Sequence, residues 1–295
     1  MDDCAHFLKS EFSEIEQEEN FDFSRRSSIG CGGTAKLAFY PKTVEEWVRL
    51  VDCLENCSIP YRVVGVLTNV LPKDGQTDVV YLSTAKFRGV KAGEKPFAFA
   101  GTTGGELLKF CEKQGLTGAE FLAGIPCTVG GVAYMNAGVQ GRYAESIVES
   151  VLFYGDGSIC SIPLAECGYA YKTSVFMQKR GVILGVRLRL SKGEGDEIEG
   201  EKRRYLERRK HLPKGRSMGC VFKNPPSLVA GKLIEGAGLK GLRIGGAVVS
   251  EEHANFIIND KNATAKDIKE LIMLIKNAVF AQYKVRLEEE IRYLD

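Results

Sequence analysis

The chain has 295 residues, of which 44% are apolar and 26% charged, a composition typical of compact globular proteins rather than disordered ones. Its 40 basic and 38 acidic residues almost cancel, which argues against a protein that coats nucleic acid or an anionic membrane. The nine cysteines lack the paired spacing of metal ligands, so we interpret them as reduced thiols and predict no metal site. The acidic start and the absence of a long apolar run predict a cytoplasmic protein.

The first elements in chain order are a polar helix and a small α/β unit. Residues 5–19 predict the helix, which we assign to an N-terminal segment 1–20, and the α/β unit covers 21–85. The elements predicted for this unit are a helix beginning at Thr43, where Glu46 completes a capping box, and strands over Tyr61–Gly65 and Val79–Leu82.

A larger β-rich unit is predicted over 86–192. It begins with a strand at Phe97 and the glycine-rich stretch Gly101–Gly105, and its segment Gly118–Gly141 is unusually rich in glycine. The further strands predicted here are Ile147–Tyr154 and Ser158–Ile162, joined by the hairpin signal Gly155-Asp156-Gly157, and Val182–Leu190.

A third region is predicted over 201–295, after a glycine-rich acidic linker at 191–200. It begins with a basic helix over 202–210. Near its end, Thr264 and Asp267 predict the start of an amphipathic helix, and Leu287–Tyr293 predicts a strand.

The segment Gly124–Gly131, continuing to Asn136 and Gly138, combines glycines with small polar side chains. Such a segment suits a loop that donates backbone N–H groups to a diphosphate, although a tight turn between strands would have the same composition.

Two further segments carry groups that could act in acid–base chemistry. Cys220 lies beside a glycine and close to Lys223 and Asn224, but a cysteine in this setting is more often a small buried residue. Alternation along the strand at 287–292 places Glu288 and Glu290 on one face. A solvated edge strand is the simplest interpretation of those carboxylates, and the three histidines stand too far apart in sequence to predict a triad or metal site.

Six motifs in order resemble the UDP-N-acetylenolpyruvoylglucosamine reductase family, over about residues 22–294. These motifs are Ile29-Gly30-Cys31-Gly32-Gly33, Gly118–Gly141, Tyr171-Lys172-Thr173-Ser174-Val175-Phe176, Gly219–Pro225, Val249–Asn259 and Leu287–Arg292. The resemblance implies an α+β fold, with a two-subdomain FAD-binding module of the vanillyl-alcohol-oxidase type and a C-terminal α/β substrate-binding domain. The chain length implies the shorter type of this reductase.

The resemblance also implies a reaction. NADPH would reduce FAD, and the reduced flavin would reduce UDP-N-acetylglucosamine enolpyruvate to UDP-N-acetylmuramate, a step of peptidoglycan synthesis and so of cell-wall biogenesis, cell shape, cell cycle and cell division. The partner would be a small nucleotide sugar, with no nucleic acid or membrane involved, and the protein would be a monomer.

Matching the family's motifs residue by residue gives three catalytic positions. They are Lys172, Cys220 and Glu290, where the family has arginine, serine and glutamate. Lysine keeps the positive charge but loses the bidentate fork of arginine. A thiol is a stronger acid than a hydroxyl and can replace the serine as proton donor.

The same matching gives the binding positions. The family's Gly-Ser-Asn loop, which wraps the flavin diphosphate, appears here as Gly65-Val66-Leu67-Thr68-Asn69, and Cys127 replaces a usual glycine. The cofactor-binding residues would be Gly65, Thr68, Asn69, Gly124, Ile125, Pro126, Thr128, Val129, Gly130, Gly131, Asn136 and Gly138. The substrate-binding residues would be Tyr171, Lys223 and Asn224.

The departures at 65–69, 127 and 172 leave two other functions open. One is a non-catalytic paralogue that binds a UDP-sugar or flavin. The other is a related FAD-linked oxidoreductase with a different substrate, against which the Gly219–Pro225 motif argues.

Overall fold

The structure is a computed structural model that describes residues 2–139 and 141–294. Within them the α-helices are α1 Asp2–Glu11, α2 Phe23–Arg26, α3 Val44–Asn56, α4 Gly104–Gln114, α5 Val129–Met135, α6 Gly195–Arg209, α7 Ala230–Gly236 and α8 Ala265–Tyr283. The strands up to residue 117 are β1 Gln17–Asp22, β2 Thr34–Phe39, β3 Tyr61–Val64, β4 Val70–Pro72, β5 Gln76–Thr77, β6 Val80–Ser83, β7 Val90–Lys91, β8 Phe97–Phe99 and β9 Leu116–Thr117. The later strands are β10 Gly138–Val139, β11 Arg142–Tyr143, β12 Val148–Gly155, β13 Ser158–Pro163, β14 Val182–Leu188, β15 Ser191–Lys192, β16 Ser217–Cys220, β17 Arg243–Ile244, β18 Ala247–Val249, β19 Phe256–Asn259 and β20 Arg292–Leu294. None of the described helices is both long and apolar enough to cross a bilayer.

The chain folds into two compact units, each made of several chain segments. The first unit consists of Met1–Glu18, Leu37–Val66 and Val79–Lys210. The second unit consists of Glu19–Lys36, Leu67–Asp78 and His211–Asp295. The segment 21–85, predicted as one subdomain, is therefore divided between the units, and the boundaries proposed at 85 and 192 stay predictions.

The first unit is built around an antiparallel sheet in the order β13-β12-β14-β8-β7. The predicted hairpin is present: β12 and β13 pair from Ser150 with Pro163 to Gly155 with Ser158. Its two turn residues, Asp156 and Gly157, have φ of 51° and 71°, as a type I′ turn requires.

The predicted α/β part of the first unit is also present. β3 and β6 pair in parallel, and α3 precedes β3. The Thr43 hydroxyl caps α3 by accepting the Glu46 N–H at 3.2 Å, but the Glu46 carboxylate binds the Lys42 N–H instead of completing the capping box. Trp47 and Leu54 on the apolar face of α3 are fully buried in the core of this unit.

The second unit contains an antiparallel sheet in the order β16-β19-β18-β17 and the helix α8. The predicted start of α8 is confirmed, because Thr264 and Asp267 form a reciprocal capping box. The apolar face of α8 is buried in a core separate from that of the first unit, through Ile268, Leu271, Ile272, Ile275 and Val279. β20 pairs in parallel with β4, which brings the end of the chain beside residues 70–72.

Three predicted elements differ from the structure. The helix predicted over 5–19 ends at Glu11, and Gln17–Asp22 is a strand in which Phe21 is buried, so tertiary packing overrides local propensity there. The linker predicted over 191–200 contains the start of α6, because Ile198 packs into a core and acidic residues suit a helix N-terminus. The strand predicted over 287–293 is regular only at Arg292–Leu294.

Candidate active site

In the first unit, two glycine-rich segments that are separate in sequence lie side by side. Thr103 and Thr128 form a β-bridge. The N–H groups of Val129 and Gly130 donate to the carbonyl oxygens of Thr102 and Ala100, each at 2.8 Å. The segments Gly101–Gly105 and Gly124–Gly131 therefore form one backbone-paired structure.

Close packing disfavours a larger residue at Gly65, which lies against Thr128, and at two glycines of the paired segments, Gly104 and Gly130. A Cβ on Gly65 would lie 2.6 Å from Thr128 Oγ1, and one on Gly104 would lie 2.9 Å from Cys127 Sγ. A Cβ on Gly130 would lie 2.9 Å from the Cβ of Ala100. Because carbon and oxygen atoms do not approach so closely without displacement, a larger residue at any of these positions would push the segments apart.

One detail of the predicted cofactor loop is corrected. The N–H groups of Val129 and Gly130 are occupied by carbonyl oxygens, and the Gly131 N–H donates to Thr128 Oγ1 at 3.3 Å. Ile125 N–H likewise donates to Leu122 O at 3.0 Å. These four groups are satisfied within the protein, so backbone donation to a diphosphate at these residues is not supported.

The same segments still fit FAD in another way. Gly124, Pro126 and Gly131 are exposed, and the glycines at 124 and 131 present backbone instead of side chains. A surface without side chains lets a large flat cofactor approach the backbone closely. Cys127, which replaces a usual glycine, adds no charge here, because burial raises the pKa of its thiol to about 11 and keeps it neutral.

Asn136, predicted to bind the cofactor, has a structural role. Its backbone has a φ of 42°, and its buried side chain accepts the Glu145 N–H at 3.1 Å and donates to Ala170 O at 3.0 Å. Asn136 thus fixes the turn that begins at Ala170. The predicted role of Asn136 in cofactor binding stays a prediction.

The turn from Ala170 to Thr173 carries Tyr171 and Lys172, and its end residues exchange N–H···O bonds of 3.2 and 3.0 Å. Lys172 has a φ of 56°, and its Nζ lies 3.4 Å from Gly138 O. Tyr171 is 42% exposed and contacts Tyr143 edge to face. The structure therefore groups Lys172, Tyr171 and Gly138 in the first unit.

In the second unit, Cys220 is the last residue of β16 and pairs with Phe256 of β19. Gly219 before it has a φ of 76°, and the pairing register shifts between Ser217 and Cys220. Such a bulge turns a side chain away from its regular direction and is frequent next to active sites. Cys220 is half-buried.

Residues 221–223, which follow Cys220, pair with residues 288–290. Glu290 N–H donates to Val221 O, and Lys223 N–H donates to Glu288 O, both at 2.8 Å. Phe222 and Glu289 form the bridge between these two bonds. Glu290 and Cys220, which are 70 positions apart in the sequence, therefore lie on adjacent backbone segments.

The predicted substrate residues Lys223 and Asn224 continue this segment. Lys223 Nζ is 2.5 Å from a carboxylate oxygen of Glu288, which offsets part of its charge. Asn224 Oδ1 accepts the N–H of Ala230, the first residue of α7, at 3.0 Å. Both side chains are thus held by the second unit itself.

Asn69, predicted to bind the cofactor, lies beside Glu290. Its Nδ2 donates to Glu290 O at 3.2 Å, and its own carbonyl accepts the Arg292 N–H at 3.0 Å. Thr68 O accepts from the Ser28 hydroxyl at 3.4 Å. Leu67, where a glycine would be unstrained, is buried with a φ of 51°. Thr68 and Asn69 belong to the second unit, whereas Gly65 belongs to the first.

Asn255 lies in the Val249–Asn259 motif, and no role was predicted for it. Its Oδ1 accepts the Phe222 N–H at 2.9 Å, and its Nδ2 donates to Phe222 O at 2.8 Å. The available signal was an asparagine directly before the apolar sequence Phe256-Ile257-Ile258, because an amide buried beside such a strand requires partners. Within the described residues, no group of three His, Cys, Asp or Glu side chains could hold a metal ion.

Comparison with known proteins supports a flavin-binding module and a separate C-terminal domain. Residues 35–162 match the model of an FAD binding domain, and residues 210–294 match the C-terminal domain of UDP-N-acetylenolpyruvoylglucosamine reductase. These two matches confirm the predicted α+β fold with a flavin-binding module and a separate C-terminal domain.

Full-length relatives give the same result. The chain is 35% identical to UDP-N-acetylenolpyruvoylglucosamine reductase of Anoxybacillus flavithermus, over 93% of either protein. It is 37% identical to the enzyme of Clostridioides difficile, over 90% of either protein. The crystal structure of the reductase from Thermus caldophilus matches with a TM-score of 0.81 and 33% identity, over 95% of this chain and 99% of that one. The chain therefore belongs to the UDP-N-acetylenolpyruvoylglucosamine reductase family.

Proposed function

We propose that this chain reduces UDP-N-acetylglucosamine enolpyruvate to UDP-N-acetylmuramate, using FAD and NADPH. The observation that carries the proposal is the bond from Glu290 N–H to Val221 O, which places a carboxylate-bearing segment against the strand of Cys220. This pair of segments lies within residues 210–294, the part that matches the reductase's C-terminal domain. The pairing places Cys220, a candidate proton donor, and Glu290 on adjacent backbone segments, and protonation of a carbon atom requires a positioned proton donor.

FAD, when bound, supplies the hydride chemistry that links NADPH to the enolpyruvyl double bond. We assign its binding in the first unit to Gly65 and to the paired segment around Thr128, where a Cβ on Gly65 or Gly130 would lie less than 3.0 Å from a neighbouring atom. In this assignment Thr128 contributes its hydroxyl, Gly124 and Gly131 contribute exposed backbone, and Ile125 and Pro126 contribute apolar contact.

Cys220 is assigned as the proton donor to the substrate. Net reduction of the double bond adds a hydride to the methylene carbon and a proton to the carbon that carries the carboxylate. A thiol has an ordinary pKa of about 8.5, far below that of a hydroxyl, and therefore donates a proton readily at neutral pH. The Glu290 carboxylate, on the adjacent segment, completes the acid–base pair.

Lys172 is assigned to the substrate carboxylate, on which negative charge develops before the carbon is protonated. A fixed cation stabilises that charge more than it stabilises the ground state, and so lowers the barrier. Tyr171, Lys223 and Asn224 are assigned to the remainder of the nucleotide sugar, and the Tyr171 ring, 42% exposed, lies in the same turn as Lys172.

We also propose that the protein acts as a cytoplasmic monomer in peptidoglycan synthesis, and through it in cell shape, cell cycle and division. The nearly balanced charge of +2 supports a small, locally bound anionic partner rather than nucleic acid.

The test is an anaerobic absorbance titration of the purified protein. We expect a yellow protein that bleaches with NADPH and recovers its colour on addition of the enolpyruvyl UDP-sugar. A protein that bleaches but does not recover would exclude this substrate and favour another oxidoreductase. A colourless protein that FAD does not reconstitute would contradict flavin chemistry and favour a UDP-sugar-binding paralogue.

A further inference from the structure

We propose that Asn255 is a positioning residue that sets the placement of Cys220 relative to Glu290. The inference rests on the proposed function for its catalytic meaning, but its structural content concerns only the second unit. Cys220 is at the end of β16, immediately after a bulge, and the regular pairing of β16 with β19 ends there. Another interaction must fix the chain beyond Cys220.

Asn255 supplies that interaction through its side chain. The amide accepts the N–H and donates to the C=O of the same residue, Phe222, at 2.9 and 2.8 Å. These are the two bonds that a residue opposite in an antiparallel sheet would make. The Asn255 carbonyl also accepts the Val221 N–H at 2.8 Å. Asn255 therefore extends the pairing of β19 by two residues past Cys220.

The opposite edge of the same segment holds Glu290. The Val221 carbonyl accepts the Glu290 N–H, and the Lys223 N–H donates to Glu288 O. Residues 221–223 are thus held on one side by Asn255 and on the other by residues 288–290. Loss of the Asn255 side chain would remove both bonds to Phe222 on one side of this segment and leave the bond from Val221 N–H to Asn255 O.

Asn255 is itself rigidly placed. It is 3% exposed, and its N–H donates to Nδ1 of His253 at 3.2 Å. Phe222 is 1% exposed, so water cannot replace the lost partners of its N–H and C=O. An Asn255 variant must therefore either shift residues 221–222 or leave two buried polar groups unsatisfied.

Asn259 offers a matched control in the same unit. Like Asn255 it is a buried asparagine, here the last residue of β19, and its side chain donates to Ile29 O and Gly30 O and accepts the Ala263 N–H. None of these three partners belongs to the segments at 220–223 or 288–290. Asn259→Ala should destabilise the protein as Asn255→Ala does, without moving Cys220 relative to Glu290.

The first readout compares the two half-reactions of the FAD-loaded enzyme by stopped flow. Misplacement of a reacting group by about 1 Å can slow a step by about 10²-fold, so we expect Asn255→Ala to slow substrate-dependent flavin reoxidation by roughly 10- to 100-fold. Reduction of the flavin by NADPH does not use Cys220 and should change by less than about threefold. The Asn259→Ala variant should leave the ratio of the two rates unchanged.

The second readout does not depend on activity. Trypsin releases Cys220 in the peptide Ser217–Lys223, which contains no other cysteine. We expect Asn255→Ala to change the rate of iodoacetamide labelling of that peptide by about fivefold or more, since thiol reactivity follows its surroundings. The Asn259→Ala variant should keep the rate of the parent protein.

A second variant covers the case in which Asn255→Ala does not fold. Asn255→Asp keeps the size and the acceptor for Phe222 N–H but removes the donor to Phe222 O, and should shift both readouts in the same direction. Equal slowing of both half-reactions, or unchanged labelling of Cys220 in a folded variant, would overturn the proposal. If the parent protein does not reduce the UDP-sugar, the proposed function fails while the labelling experiment still decides the positioning role.

Discussion

The backbone N–H of Glu290 donates to the carbonyl oxygen of Val221 at 2.8 Å, one residue after Cys220. This bond joins a segment near the end of the chain to the strand that carries the assigned proton donor. Asn69 binds the same segment from a third part of the sequence, through Glu290 O. The second unit therefore assembles its candidate catalytic groups through backbone hydrogen bonds, which fix position more rigidly than flexible side chains do.

Removal of the Cys220 thiol should impair substrate reduction but not reduction of the flavin by NADPH. We expect Cys220→Ala to lower the rate of substrate reduction by about 10²- to 10⁴-fold, the usual contribution of a general acid, and to leave NADPH oxidation by the flavin intact. Rapid-mixing absorbance measurements follow both steps. Cys160→Ala, at an exposed cysteine of β13, is the control and should behave as the parent protein. Simultaneous loss of both steps in Cys220→Ala would contradict the assigned role.

Glu290→Gln should also slow substrate reduction and leave reduction of the flavin by NADPH intact. The substitution removes the carboxylate but keeps the bond from the backbone N–H of residue 290 to Val221 O. The free energy of unfolding should stay close to that of the parent protein, since only the side-chain terminus changes. Glu288→Gln is the matched control: its carboxylate binds Lys223 at the surface, and exposed ion pairs contribute little to stability. A large loss of substrate reduction in Glu288→Gln but not in Glu290→Gln would reverse the assignment.

Gly65→Ala should weaken FAD binding. The new Cβ would lie 2.6 Å from Thr128 Oγ1, so the paired glycine segments must move. The measurement is the ratio of flavin absorbance to protein absorbance after purification, followed by titration with FAD. Gly200→Ala is the control, because a Cβ there meets nothing within 4 Å and the position is inside α6. That control should retain flavin and gain about 0.5–1 kcal/mol of stability.

At Leu67 we expect the glycine variant to be more stable than the alanine variant, which reverses the usual order. At ordinary positions glycine is less stable than alanine by about 0.5–1 kcal/mol. Leu67 has a φ of 51°, where a Cβ costs about 1–2 kcal/mol, so Leu67→Gly should unfold at higher denaturant concentration than Leu67→Ala. Both variants lose the buried leucine side chain, which makes the comparison between them independent of packing. A Leu67→Ala variant more stable than Leu67→Gly would show that the left-handed backbone is not retained.

His253 should make stability depend on pH. Burial, reinforced by Lys240, lowers the pKa of the imidazole below its ordinary 6.5, whereas Glu235 opposes the shift. A lowered histidine pKa means that the unfolded chain binds the proton more readily, so the contribution to stability is complete above pH 6.5 and is lost as the pH falls below it. Protonation of Nδ1 would also remove the acceptor of the Asn255 N–H.

Chemical denaturation across this pH range measures the effect. The His253→Gln variant should lack this part of the pH dependence, because an amide does not titrate. His211→Gln is the control. Its stability should depend on pH as that of the parent protein does, since His253 is still present in this variant. An identical pH dependence in parent and His253→Gln proteins would contradict the linkage.

The sequence by itself determined the local elements whose signals lie within a few residues. The helix start at Thr264 and Asp267, the Asp156-Gly157 turn and the helix that follows Thr43 are present as predicted, because caps and turn dihedrals depend on neighbouring residues. The ordered motifs also determined the family and, through it, the candidate residues Lys172, Cys220 and Glu290.

Only the tertiary structure decided which of those residues share a unit and what holds them. Asn69 lies with Glu290 in the second unit, Gly65 packs on Thr128 in the first, and Asn136 and Asn255 are occupied in fixing backbone. Such relations depend on hydrogen bonds and contacts between residues far apart in the chain, and a side chain's sequence neighbours do not report its partners. The strand at Gln17–Asp22 also depends on a contact between distant residues. It pairs with β2, and a polar sequence becomes a strand only when another strand is there to pair with it.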